Sequence, residues 1–182
     1  MLKPSDNPPM LTPSATSLTD LDGRWWVAHT KARFEKAFAW DLCRRNIGYF
    51  LPMIGRVRVS GGRKRQVLTP LFPSYVFFCG DDKDRHLALT TNRLCQAIEV
   101  TDQELLRRQL ADLEKAIKGG AVLDAYPFAV VGRRCRVTAG AMQGIEGVIV
   151  DRAKLAKVVL EVSMLGQGAL MEIDPDLLEP IG

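Results

Sequence analysis

The alternation of apolar and polar positions changes its period once along this chain. Before Gly120, runs rich in aromatic and β-branched residues alternate with two segments whose apolar residues recur every three or four positions. After Gly132, short runs of alternating apolar and polar residues are separated by turns that contain glycine. The first pattern predicts an α+β domain, and the second predicts a small closed β-barrel.

The first part is expected to follow the order β-α-β-β-β-(α)-β-α, as one mostly antiparallel sheet covered by helices. Thr30 is expected to cap a helix over residues 33–47, and Thr101 to cap another that ends at Gly119. Strands are expected at 24–31, at 49–54 continuing into 56–59, at 74–78 and at 95–100, with a short helix or loop over 81–92. In the barrel, strands are expected at 134–137, 145–150, 158–162 and 169–173.

Composition sets the expected domain boundaries. Residues 1–22 are rich in Pro, Ser, Thr and Asp and are expected to form a disordered tail. Residues 121–131 carry neither period, so they are expected to link a domain over 23–120 to a barrel over 132–182.

The most aromatic stretch is 70–78, which holds four of the ten Phe and Tyr residues. On a strand, Tyr75 and Phe77 share one face while Val76 and Phe78 share the other. One face must pack on the core of the domain. The other is either covered by helices of the same domain or left as an apolar patch for a partner.

Charge is distributed unevenly. Residues 1–65 hold 12 Lys and Arg against 5 Asp and Glu, a net charge of +7, and the remainder has a net charge of −3. No cation occurs from Val158 to the end. A basic front and an acidic rear indicate that the front meets an anionic polymer.

Two features of the basic front are candidates for nucleic-acid contact. Along the first helix, one stripe is basic and carries a single aromatic residue: Arg33, Lys36, Trp40 and Arg44, flanked by Lys31 and Arg45. The second is a β-hairpin that turns at Gly61-Gly62 and leads out through Arg63, Lys64 and Arg65. For the helix the alternative is a solvated charged face, and for the hairpin it is a solubilising loop.

Other functional classes find little support. Cys43, Cys79, Cys95 and Cys135 are widely spaced, which is typical of reduced thiols in a cytoplasmic protein rather than a disulfide framework or zinc site. No apolar run is long enough to span a bilayer, and the N-terminus lacks the apolar region of a secretory signal. No nucleophile–base pairing or phosphate loop is visible, so neither an enzyme nor a cofactor is expected.

Three motifs resemble the NusG family of transcription elongation factors, in which an NGN domain precedes a KOW barrel: RWWVAHTKARFEKAFAWDL, LFPSYVFF and GRRCRVTAGAMQGIEGVIV. The KOW turn carries Gly140, Gly144 and Gly147, which are expected to provide positive φ or close backbone approach. Within the family, residues 52–53 and 70–73 resemble the specialised RfaH-type antiterminators.

The resemblance implies that the NGN sheet binds the clamp helices of RNA polymerase and suppresses pausing. The matching patch consists of Val27, His29, Pro52, Ile54, Phe72, Tyr75 and Phe77. Positions that read exposed non-template DNA in the specialised relatives match Lys31, Arg44 and Arg45. By the same resemblance the protein is a cytoplasmic monomer without metal, and its barrel recruits a further partner, such as a ribosomal protein.

The chain departs from the family pattern at two places. A His-Thr-Thr turn of the specialised relatives is replaced by His86-Leu87-Ala88, which argues against the associated second polymerase contact. A Gly-Arg loop that engages Rho elsewhere reads 164–167 Met-Leu-Gly-Gln, and the lost cation argues against Rho binding. The barrel is rich in β-branched residues and is expected not to refold into helices. The alternative function is a ribosome- or RNA-associated KOW module.

Overall fold

The computed structural model describes residues 6–128, 130–152 and 154–182, which fall into two compact units, Met1–Gln103 and Glu104–Gly182. The elements of the first unit are β1 (Arg24–Thr30), α1 (Glu35–Arg44), β2 (Gly48–Phe50), β3 (Met53–Ser60), β4 (Arg63–Pro70), β5 (Tyr75–Gly80), α2 (Asp82–Leu89) and β6 (Leu94–Glu99). Those of the second are α3 (Gln103–Lys118), which starts at the last residue of the first unit, β7 (Asp124–Tyr126), β8 (Arg133–Val137), β9 (Glu146–Arg152), β10 (Ala156–Val162), β11 (Gln167–Ile173) and β12 (Leu178–Pro180).

The first unit is built on an antiparallel sheet in the order β2-β5-β1-β6. Alternation along β1 sends Trp26 and Ala28 to the side where α1 packs, together with Val76 and Phe78 of β5. The apolar stripe of α1, which includes Phe38 and Leu42, covers this face. Val76 and Phe78 therefore form the side of β5 that packs on the α1 core.

The hairpin of β3 and β4 forms a separate two-stranded sheet. Its register is continuous from Met53 opposite Pro70 to Ser60 opposite Arg63. Gly61 and Gly62 have φ values of 56° and 73°, as a two-residue hairpin turn requires. The strand expected over 49–59 is thus two strands, because Leu51 and Pro52 leave the first sheet before the hairpin begins.

The segment before β1 is ordered over residues 6–22, contrary to the expected tail, while residues 1–5 lie outside the described part. Leu11 bridges Phe50, and the amide of Leu51 donates to the carbonyl of Met10 at 2.6 Å. Thr12 is buried, and the Tyr49 hydroxyl donates to the Pro9 carbonyl at 2.9 Å. Backbone hydrogen bonds near β2 and the burial of Leu18 and Leu21 order this segment despite its Pro-, Ser- and Thr-rich composition.

The second unit contains a six-stranded sheet in the order β12-β8-β9-β10-β11-β7, consistent with the predicted KOW barrel. Gly140 and Gly144 have φ values of 84° and 88°, as expected of the KOW turn. At Gly147 the reason is close approach, since an added Cβ would lie 2.6 Å from Val158 Cγ1. The fold class predicted from the sequence is therefore confirmed, while the domain boundaries stay predictions.

Two local expectations are corrected. Residues 124–126 of the expected linker form β7, which pairs with Gly168–Leu170 of β11. The first helix begins at Glu35 after a cap at Phe34 without a side-chain hydrogen bond, whereas Thr30 is the buried last residue of β1. Among the described residues, no helix has the length and apolar character to cross a membrane.

Helix α3 is held within the second unit by polar contacts. The Gln109 side chain exchanges hydrogen bonds with Ser163, and the Lys115 ammonium donates to the Gln143 carbonyl. Asp112 accepts from the Glu146 amide at 3.3 Å. Burial raises the pKa of Asp112 from 3.8 to about 6, the neighbouring Glu146 charge adds to the rise, and the Glu146 amide together with Lys115 and Arg108 opposes it.

Replacing Tyr49 by Phe is expected to lower the free energy of unfolding by about 1 kcal/mol, because the hydrogen bond from buried Tyr49 to the Pro9 carbonyl is lost. Urea unfolding measures this change. Tyr126→Phe, at a half-buried tyrosine of the second unit, is the control. Equal losses in the two variants would contradict a special role for the N-terminal segment.

The raised pKa of Asp112 makes a pH-dependent prediction. A carboxyl that titrates higher in the folded than in the unfolded state costs stability once it ionises, so stability should fall as the pH rises from about 4 to about 6. Because the group is partly exposed, the cost is about 1 kcal/mol. Asp112→Asn should remove this fall in unfolding experiments, and exposed Asp176→Asn should retain it. Identical pH profiles for Asp112→Asn and the parent would refute this assignment.

Candidate partner and nucleic-acid interface

The aromatic stretch enters β5 through a tightly held loop. Ser74 has a φ of 68°, and its amide donates to Glu35 Oε1 at 2.6 Å. Glu35 is itself buried at the first turn of α1. The Ser74 carbonyl accepts from the Thr30 amide at 2.8 Å. The buried Glu35 carboxylate, which the sequence analysis missed, holds the Ser74 amide and thereby fixes the start of β5 at Tyr75.

Tyr75 and His29 form the accessible part of the predicted polymerase patch. They are register partners on β5 and β1, and their rings stack with centroids 5.2 Å apart and planes at 24°. Both side chains are half-buried. They lie on the face of the sheet opposite to α1, because they alternate with Val76 and Ala28, which pack in the α1 core.

The expected exposure of the rest of this patch is wrong. The buried members are Val27, Pro52, Ile54, Phe72 and Phe77. Phe77 has 0% of its surface exposed, since it lies between Val27 on β1 and Phe50 on β2. The Phe72 ring meets the Phe77 ring edge-on, with centroids 6.0 Å apart. Its neighbours come from two other strands and from the loop before β5, so this burial cannot be read from a single strand.

Three arginines converge on one buried carboxylate. Asp41 of α1 accepts from the Arg44 guanidinium, from Arg93 Nε at 3.0 Å, and through its backbone carbonyl from Arg45 at 3.2 Å. Arg93 also lies over the Phe34 ring, 5.1 Å from its centroid. The group of Arg44, Arg45 and Arg93, called the arginine cluster below, retains an excess of positive charge because a single carboxylate serves all three.

Lys31 extends the arginine cluster along the surface. Its ammonium donates to the carbonyl and the side-chain oxygen of Asn92, at 2.8 and 3.2 Å. Its amide donates to the Arg93 carbonyl at 2.9 Å. Arg33 is exposed in the loop before α1, with a φ of 67°. Arg93 was missed from the sequence because it lies 52 residues from Asp41 and joins the helix only through the fold.

The other two members of the predicted helical stripe face the N-terminal segment. The Lys36 ammonium donates to Asn7 Oδ1 and to the Leu68 carbonyl, both at 2.6 Å, and Trp40 Nε1 donates to the Asp6 carbonyl at 3.0 Å. Burial and the nearby Arg58 charge lower the pKa of Lys36, against an opposing effect of Glu35. The predicted stripe is therefore not one continuous binding surface, because Lys36 and Trp40 are hydrogen-bonded to other parts of the first unit.

The cations of the hairpin are exposed. Arg63, Lys64 and Arg65 lie on β4 directly after the turn, as the sequence predicted.

Within the described residues, no group of His, Cys, Asp and Glu side chains has the arrangement of a metal site. None of the four cysteines takes part in a disulfide bond within the described residues.

A model of the NusG family, described as transcription termination factor nusG, matches residues 23–109. Over this segment the chain is similar to the NusG family. The match supports a transcription elongation factor in general terms. No protein in a search of curated proteins matches it.

Two solved structures share similarity with the chain. "Domain interaction in Thermotoga maritima NusG" is 17% identical with a TM-score of 0.48, covering 87% of this chain and 97% of that chain. "Crystal Structure of MjSpt4:Spt5 complex conformation B" is 12% identical with a TM-score of 0.27, and the covered shares are again 87% and 97%.

Replacing Arg93 by Gln tests the arginine cluster. If the cluster neutralises one more phosphate through Arg93, the slope of log affinity against log salt for single-stranded DNA should fall by about 0.7. Fluorescence anisotropy between about 50 and 200 mM salt measures the slope. Lys83→Gln, at an exposed lysine of α2, is the matched control. An unchanged slope in Arg93→Gln would mean that the arginine only stabilises α1.

Proposed function

We propose that this NusG-family chain is a transcription antitermination factor that binds the clamp helices of RNA polymerase through its first unit and suppresses pausing. The stacked His29–Tyr75 pair is the observation that carries the proposal. Aromatic side chains with one accessible edge on a rigid sheet are suitable anchors for a helical partner. Phe72 and Phe77 are buried against each other and therefore are not available to bind directly.

The arginine cluster and Lys31 are proposed to meet the exposed non-template DNA of the transcription bubble. They adjoin the pair, since Lys31 follows β1 directly after His29 and Thr30. A polymerase anchor beside a cationic surface would hold both partners of the elongation complex together. The specialised, RfaH-like character of the chain belongs to this proposal and rests on the sequence resemblance.

The second unit is proposed to recruit a further partner, such as a ribosomal protein. Its last 25 residues carry five carboxylates and no cation, which disfavours direct binding to nucleic acid. The same excess of negative charge argues against the alternative function of an RNA-associated KOW module. Tighter binding of the chain to naked RNA than to core polymerase would favour that alternative.

Tyr75→Asp tests the polymerase proposal. The substitution should weaken binding to core RNA polymerase by about 30-fold, corresponding to about 2 kcal/mol for a central aromatic anchor. Phe77→Asp is unsuitable, because a charge at this buried position would unfold the unit.

Affinity is measured by biolayer interferometry with core polymerase, and thermal unfolding checks that the variant is folded. The matched control is Val122→Asp, at an apolar side chain that is 89% exposed outside the sheet. Parent-like affinity of folded Tyr75→Asp would exclude this pair from the polymerase interface.

A further inference from the structure

The β3–β4 hairpin has two chemically different faces. Cross-strand partners share a face and alternate residues change face, so the register assigns every side chain. One side, the arginine face, holds Arg56, Arg58, Arg63 and Arg65. The other, the valine face, holds Val57, Val59, Lys64 and Gln66. All eight side chains are exposed.

The arginine face is a concentration of like charge that folding alone does not explain. Arg58 lies directly opposite Arg65, a pairing that destabilises an isolated hairpin. Between Asp41 and Asp81 the chain has seven Lys and Arg and no Asp or Glu. The charge of Arg58 extends to Lys36, whose pKa it helps to lower. Such a concentration of exposed positive charge is complementary to a polyanion.

The shape of the hairpin selects among nucleic acids. Its arginines form two rows, with members about 6.8 Å apart along each strand and about 5 Å between strands. A two-stranded ribbon fits the major groove of B-form DNA, which is about 12 Å wide, whereas the major groove of A-form RNA is too narrow. Single strands are bound by stacking on aromatic side chains, and residues 54–71 contain none.

We propose that the arginine face binds the phosphate backbones of B-form duplex DNA, with the hairpin lying in the major groove. This inference rests on the proposed function, in which the first unit acts beside nucleic acid. It adds that the nucleic acid is B-form duplex DNA and that the arginine face of the hairpin binds it. The valine face is directed away from the DNA. The hairpin thus addresses duplex DNA, separately from the single strand assigned to the arginine cluster.

The decisive variant exchanges two neighbours, Val57→Arg with Arg58→Val. Composition and net charge are unchanged, and both residues suit a strand, but one arginine moves to the valine face. The full-length protein is titrated into a fluorescent DNA duplex without polymerase. The exchange should weaken affinity roughly tenfold at about 0.1 M salt and lower the salt slope by about 0.9. Arg58→Gln should do the same, and Lys64→Gln on the valine face should have little effect.

Parallel titrations use an RNA duplex and a DNA single strand of the same sequence, and both are expected to bind more weakly than the DNA duplex. Parent-like binding by the exchanged variant would show that only net charge matters, which overturns the proposal. Tighter binding of the RNA duplex or the single strand would overturn it as well. Tyr75→Asp should bind the duplex like the parent, so a failure of polymerase binding is distinguished from a failure of DNA binding.

Discussion

The position of β1 between β5 and β6 is the constraint on which the first unit depends. Hydrogen bonding on both edges leaves β1 no freedom to slip, and strand alternation then decides which residues join the α1 core. Trp26 and Ala28 are committed to that core, which directs His29 to the opposite face beside Tyr75. The proposed anchor, His29 beside Tyr75, therefore lies at the half-buried end of β1, a strand that is otherwise mostly buried. A binding group on such a strand is held more rigidly than one on a loop.

Two buried carboxylates explain why the surface of the stretch between Asp22 and Asp81 is so basic. Between Asp22 and Asp81 the chain has only Glu35 and Asp41, and both are buried. Glu35 accepts from the Ser74 amide, and Asp41 holds the arginine cluster. Because both negative charges serve internal contacts, the outward surface carries cations with little compensation. Charge counting predicts a basic front but cannot show that its few acids lie inside.

Sequence pattern predicted the strands, the two faces of β5 and the KOW glycines, because these depend on local periodicity and backbone geometry. It could not predict the burial of Phe77, which depends on Val27 and Phe50 from two other strands. The sequence pattern placed Trp40 on a binding stripe. It could not show that the fold brings the Asp6 carbonyl to the indole nitrogen of Trp40. Arg93 was missed for the same reason. Long-range neighbours, rather than residue types, decide each of these cases.

The orientation of the hairpin arginines follows from two glycines. A two-residue turn with positive φ at both positions matches the twist of the flanking strands and fixes the register of Ser60 opposite Arg63. A shift of one residue in either strand would exchange arginine and valine positions and mix the two faces. Gly61 and Gly62 therefore determine not only that a hairpin forms but also that four arginines lie on one side of it. Through this turn, a local backbone preference sets the distribution of charge that a DNA duplex would meet.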